Sequence, residues 1–135
     1  MRDINEQTIR TVLETLSFNA DGLIPAIAQQ HDTGEVLMMA WMNREAVETT
    51  LREGRGVYWS RSRDALWRKG ESSGQVQTMI ELRWDCDNDT ILLVVDQAGV
   101  ACHTGRRNCF FNAVRDGEVQ EIAEIVTKPD DLYGG

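Results

Sequence analysis

The run from Val76 to Asp87 alternates almost without a break: Val76, Thr78, Ile80, Leu82, Trp84 and Cys86 fall on one side, and Gln77, Glu81, Arg83, Asp85 and Asp87 on the other. In an extended chain successive side chains point to opposite faces. The pattern therefore predicts a half-buried antiparallel strand with the more apolar set inward. Thr90 to Asp96 follows as a more uniformly apolar strand, Ile91-Leu92-Leu93-Val94-Val95, with Asn88-Asp89 as the turn between the two. A hairpin of this kind commits the chain to a sheet.

The other segments are read around that hairpin. Residues 3–17 space Ile9, Val12, Leu13 and Leu16 as the apolar stripe of an amphipathic helix. Leu23 to Gln30 and Glu35 to Trp41 read as a second hairpin through His31-Asp32-Thr33-Gly34. Asn43 suits the cap of a helix running to Glu53, with Ala46, Val47 and Leu51 inward and Gly54 at its left-handed end. Val57 to Ser60 is a short strand, followed by a loop of 14 residues, Arg61 to Gly74, whose length marks it as a candidate ligand-binding segment. After a loop at 97–108, Cys109 to Val114 and Glu118 to Ile122 read as strands about an Asp116-Gly117 turn, and Lys128 to Gly135 as a frayed tail. The expected architecture is α+β, with a mainly antiparallel sheet and a few helices.

At 135 residues, 41% of them hydrophobic, the chain fits a single domain spanning 1–135. Its longest apolar run, Val36 to Met42, falls well short of the ~20 residues that cross a bilayer. The start Met1 to Gln7 lacks the basic and apolar stretches of a secretory signal, so the expected location is the cytoplasm. A net charge of -8 disfavours nucleic acid as a partner. Yet Arg52, Arg55, Arg61, Arg63, Arg68 and Lys69 concentrate cations in one short stretch, which points to a small anionic ligand. Tyr58-Trp59-Ser60-Arg61-Ser62-Arg63 interleaves rings that stack on a base with guanidiniums that grip phosphate. Lys69-Gly70-Glu71-Ser72-Ser73-Gly74 adds a cation, a carboxylate and hydroxyls, suited to phosphate contact and acid–base work.

Cys86, Cys102 and Cys109 contain no close pair, and an odd number of thiols cannot all form disulfides within one chain. Cys86 reads equally as a small buried hydrophobe. Cys102 and Cys109 flank His103-Thr104-Gly105-Arg106-Arg107-Asn108, whose His and cations favour thiolate. If all three converge, they make a three-ligand zinc site with an open fourth position, where water becomes acidic near a pKa of about 7. His103 would then move protons beside the ion. Asp85, Asp87 and Asp89 are spaced to share one face of an extended chain, either as a magnesium site or as a solvated strand end. On such a strand Cys86 points away from them, so a site containing both metals is easiest to build between subunits.

These segments in this order resemble the phosphoribosyl-AMP cyclohydrolase family: the Tyr58 to Arg63 run, Leu66-Trp67, Lys69-Gly70-Glu71, Ser73-Gly74, Asp85-Cys86-Asp87-Asn88-Asp89, Cys102-His103-Thr104-Gly105 and Cys109-Phe110-Phe111. The resemblance covers roughly residues 22–114, with Val100 and Asn108 departing from the usual pattern. It implies a hydrolase of histidine biosynthesis that opens the adenine ring of 1-(5-phosphoribosyl)-AMP between N1 and C6, as an intertwined homodimer. It further implies zinc on Cys86, Cys102 and Cys109, shared between subunits, and magnesium on Asp85, Asp87 and Asp89. His103 and Glu71 would be catalytic, and Trp59, Ser60, Arg61, Ser62, Arg63, Lys69 and Ser73 would bind the substrate, whose two phosphoribosyl groups account for the local cations. The rival reading is a zinc-stabilised nucleotide-binding module without catalysis.

Overall fold

Two asparagines and a glycine set the limits of the longer helices. Asn5 accepts from the Thr8 N–H at 2.8 Å to open α1 (Glu6–Thr15), and Asn43 accepts from the Ala46 N–H at 2.8 Å to open α2 (Arg44–Glu53). Gly54 closes α2 in the left-handed conformation, φ 70°. These elements belong to a computed structural model that describes residues 3–132. The helices turn Ile9, Val12, Leu13, Ala46, Val47 and Leu51 inward; Arg52 links α2 to α1 through its ion pair with Glu6 and pairs with Glu48 within its own helix.

The strands are β1 (Leu23–Gln30), β2 (Val36–Asn43), β3 (Val57–Ser60), β4 (Ala65–Arg68), β5 (Gln77–Trp84) and β6 (Ile91–Gln97), joined in the order β4-β3-β2-β1-β6-β5. The β1–β2 and β5–β6 hairpins are antiparallel, as their turns require, but β1 and β6 pair parallel from Ala26↔Ile91 to Gln30↔Val95. The sheet is therefore mixed rather than purely antiparallel: the expected antiparallel pairing holds for four of its five strand contacts, and β1–β6 is the exception. Turn residues encode how each hairpin folds; they do not encode which strands of two hairpins abut, nor in which sense. Ile24, Ala26, Ala28, Leu37, Met42, Ile91, Leu93 and Val95 pack against the helices as one core.

Four local expectations change. The 61–74 loop contains β4, which pairs with β3 from Val57↔Arg68 to Ser60↔Ala65 around a turn with Asp64 at φ 52°. In β5 the first half faces the other way: Gln77 and Met79 are buried, while Thr78 and Ile80 are exposed. A register shift between Met79 and Glu81 then returns Leu82 to the half-buried side. One inserted residue in a strand reverses every later side chain, and strict alternation across it hides the reversal. Towards the end, β7 (Asn112–Arg115) starts later than the expected Cys109, pairs with β8 (Glu118–Glu121), and leaves Val114 and Val119 facing solvent. Part of the expected frayed tail forms a helical turn, α3 (Pro129–Leu132), and its last three residues, 133–135, lie outside the described residues. No helix among the described residues is long and apolar enough to cross a membrane.

Gln77 can face inward because its amide is satisfied there. The Tyr58 hydroxyl donates to Gln77 Oε1 at 2.6 Å, and Gln77 Nε2 donates to Gln97 Oε1 at 2.9 Å. Gln97 Nε2 donates in turn to the Gln75 and Ala98 carbonyls at 2.9 and 2.8 Å, and Gln30 Oε1 accepts from the Gln97 N–H at 2.9 Å. Burial holds the Tyr58 hydroxyl well above the usual tyrosine range, so it remains a neutral donor. Tyr58→Phe removes the donor and strands a buried acceptor, so urea denaturation should show a loss of about 1–3 kcal/mol, with the slope of the transition unchanged.

Candidate active site

The segment from Gly99 to Cys109 is folded on itself and stitched to the sheet. The Ala101 N–H donates to the Arg107 carbonyl at 2.9 Å and the Cys102 N–H to the Arg106 carbonyl at 3.2 Å, closing the loop at its base. The Cys109 N–H donates to the Leu37 carbonyl of β2 at 2.8 Å. At the tip Gly105 takes φ 87°, and a Cβ there would collide with the Thr127 carbonyl. Its own carbonyl accepts from the Val126 and Thr127 N–H groups at 2.8 and 3.0 Å, so the chain after β8 covers the turn.

This folding brings two of the three thiols together. Cys102 is buried and receives the Thr104 hydroxyl at 3.0 Å. Cys109, exposed as a residue, directs its thiol at Cys102; desolvation first, then the charge and hydrogen bond of Cys102, push that thiol up to about 12. Opposing this is Lys69, whose amine is buried, donates to the Ala101 carbonyl and lies 5.5 Å from the centre of the Trp67 ring. Burial lowers the Lys69 pKa, and Cys109 and Cys102 pull it back up. His103 is exposed, next to Cys102 in sequence.

Cys86 is elsewhere. It is exposed, not buried on an apolar face, and the three sulfurs do not form one cluster among the described residues. It sits instead within the turn that gathers Asp85, Asp87 and Asp89, whose nearest carboxylate oxygens all lie within 4.8 Å of one another. A tight turn, with Asn88 at φ 63°, collects them in place of a continuing strand. The Asp89 N–H donates to Asp85 Oδ1 at 3.0 Å. Hydrogen bonding to Asp85 first, then desolvation and the charges of Asp85 and Asp87, raise the Asp89 pKa. Asp85 is held low by its hydrogen bonds to Asp89 and Thr90 against the opposing effect of desolvation. Crowded carboxylates of this kind suit a hard divalent cation.

The basic stretch resolves into separate tasks. Arg52 and Arg68 are paired with Glu6, Glu48 and Glu53, and Arg55 donates to the Lys69 carbonyl. Arg61 and Arg63 have no carboxylate partner among the described residues. They line a cleft of about 600 Å³ with Trp59, Ser60, Ser62, Trp67 and Trp41. Arg63 and Trp67 also form the rim of a second cleft, about 300 Å³, lined by Lys69, Glu71 and Ser73. All the residues expected to meet substrate, together with Glu71, therefore line two adjoining clefts, and Lys69 connects the smaller one to the paired thiols. Trp41 was not legible as a site residue. Its registry opposite Trp59 across β2 and β3, and the Arg61 guanidinium 5.0 Å from its ring centre, follow from strand pairing alone.

Comparison with known proteins gives the family. The family model described as phosphoribosyl-AMP cyclohydrolase matches residues 38–111. A phosphoribosyl-AMP cyclohydrolase of Rhodospirillum centenum is 64% identical over 126 residues, covering 93% of this chain and 95% of that protein. One from Rhodospirillum rubrum is 67% identical over 118 residues, covering 87% and 82%. A Pseudomonas fluorescens protein called phosphoribosyl-AMP cyclohydrolase 2 is 64% identical over 115 residues, covering 85% and 78%. With matches of this identity spanning the thiol loop, the acidic turn and both clefts, the chain belongs to the phosphoribosyl-AMP cyclohydrolase family.

Proposed function

We propose that this chain hydrolyses the N1–C6 bond of 1-(5-phosphoribosyl)-AMP in cytoplasmic histidine biosynthesis, as an intertwined homodimer that binds zinc and magnesium. The observation that carries the reading is the meeting of Cys102 and Cys109 beside Lys69, which also lines a cleft, while Cys86 stands apart in the acidic turn. Two soft sulfurs from one copy and Cys86 from a second complete a donor set that suits zinc. Zinc bound there supplies Lewis acidity and makes water acidic near neutral pH. Asp85, Asp87 and Asp89 offer only oxygen, which suits magnesium. Because Cys86 lies among these carboxylates, a second copy that lends its sulfur brings the acidic turn to the same cleft.

The remaining work falls to side chains. Arg61 and Arg63 are free to hold phosphate, with Ser60, Ser62 and Ser73 as hydroxyl partners for phosphate or ribose. Trp59 is placed to stack on the purine, with Trp41 and Trp67 as further walls of its cleft. Lys69 is committed to Ala101 and the thiols, so any role with an anion is exerted through the charge it sets beside the cleft. In the reaction the water oxygen bonds to C6, the N1–C6 bond breaks, and N1 takes a proton. C6 becomes the carboxamide carbon of the phosphoribosylformimino-aminoimidazole carboxamide ribotide. His103 beside Cys102, and Glu71 in the cleft, are the groups positioned to move that proton.

Two measurements test this. Arg61→Ala should cost about 1–3 kcal/mol in kcat/KM, carried by KM, when ring opening is followed by the ultraviolet absorbance of the purine. Cys86→Ala and Cys109→Ala should each be inactive, and mixing the two after subunit exchange should restore about a quarter of wild-type activity, because half of the dimers then hold one complete site of two. Activity in the Cys109→Ala protein alone, or no recovery on mixing, would defeat the shared-site reading.

A further inference from the structure

Cys109 is bracketed by contacts that lead to one residue outside the loop. Asn108, immediately before it, donates from Nδ2 to Glu35 Oε2 at 2.8 Å, and its Oδ1 accepts from the Phe110 N–H at 2.8 Å. Both ends of the Asn108 amide are thus in use, and the amide cannot rotate without putting donors against donors. The other oxygen of Glu35, Oε1, accepts from Arg107 Nε at 3.1 Å. Arg107 continues from its NH1 to the Gln97 carbonyl at 3.2 Å and to the Gly99 carbonyl, while its own carbonyl receives the Ala101 N–H. Glu35 lies one residue before β2, and Leu37 in that strand holds the Cys109 N–H. The Glu35 and Arg107 side chains are only 29% and 31% exposed, so this charged contact is largely shielded from water.

We propose that Glu35, acting through Arg107 and Asn108, is a positioning residue that fixes the separation of the Cys102 and Cys109 sulfurs and so their competence to hold a metal. The inference rests on the reading of these cysteines as zinc ligands. Arg107 fixes the Ala101 side of the loop and Asn108 the Cys109 side. A single carboxylate spanning both sets the distance between them. Outer-shell partners of this kind typically govern affinity by about 10–100-fold.

The test uses the full chain loaded with zinc, and measures zinc affinity by competition with a chromogenic chelator. Glu35→Gln places an amide donor against either Asn108 or Arg107, and Asn108→Asp sets carboxylate against carboxylate; each should weaken zinc by about 10–100-fold. The double variant inverts the pair, with the new amide donating to the new carboxylate while Arg107 and the Phe110 N–H keep their acceptors. Its zinc affinity should return to within a few-fold of wild type. Thermal unfolding of the metal-stripped proteins separates a general loss of stability, which would lower all the midpoints without rescue of zinc binding. If Glu35→Gln does not fold, Asn108→Asp and the double variant decide the matter. Wild-type affinity in the single variants, or a double variant no tighter than its parents, would overturn the proposal. A wild-type chain that takes up no zinc would instead overturn the zinc reading, and this proposal with it.

Discussion

A buried ammonium needs negative charge or carbonyl oxygen within reach, because desolvating it unpaired costs several kcal/mol. Lys69 meets that need with the Ala101 carbonyl, and the two neighbouring sulfurs favour its charge when they ionise. The dependence is mutual. Burial first, and then Cys102, raise the Cys109 thiol, and the Lys69 charge is what opposes them. Its backbone position is equally fixed, since the Lys69 N–H donates to the Gly56 carbonyl at 3.0 Å at the end of the β3–β4 pair. The thiol loop, the short hairpin and the clefts between them are therefore organised around one amine.

Behind that amine, the chain of amides from Tyr58 through Gln77 to Gln97 does for the sheet what Lys69 does for the loop. It ties β3, β5 and β6 together through side chains, and Gln97 delivers its last bonds to the backbone just before the thiol segment. Buried amides are tolerated only when every donor and acceptor is matched, so such a network specifies one arrangement of the strands that carry it. The loop that holds Cys102 inherits that rigidity.

Much of this was legible in the amino-acid order, for a physical reason. The apolar spacing of Ile9, Val12, Leu13 and Leu16, the cap at Asn43, the left-handed Gly54 and the tight turns all act over a few neighbouring residues, and the sequence reading found the two long helices and both large hairpins from them. The phase of β5 was hidden because its bulge sits inside an unbroken alternation, and only the partners of Gln77 across the sheet decide which face is inward. The parallel β1–β6 contact and the Trp41–Trp59 pairing are likewise long-range. At the site, the arginines, serines and acidic residues announced themselves by type and spacing. Trp41 and Glu35 did not, because one is a strand residue among apolar neighbours and the other a lone carboxylate before a strand; each gains its place from residues far along the chain.

The bulge in β5 has a bearing on how this protein behaves when crowded. β5 is the last strand of the six; its outer edge is taken as far as Met79, where the Gly56 N–H donates to the Gln77 carbonyl and the Met79 N–H to the Gly54 carbonyl, both at 2.9 Å. Beyond that point an outer strand offers backbone groups on which further chains could stack. A regular strand carrying Ile80 and Trp84 on its exposed side would be a template for fibril growth. The extra residue bends the strand and breaks its repeat at Ile80, and Glu81 and Arg83 place charge beside it. The irregularity that conceals the strand's phase in the sequence thus falls where the covered part of the margin ends, and makes the remainder a poor template for added strands.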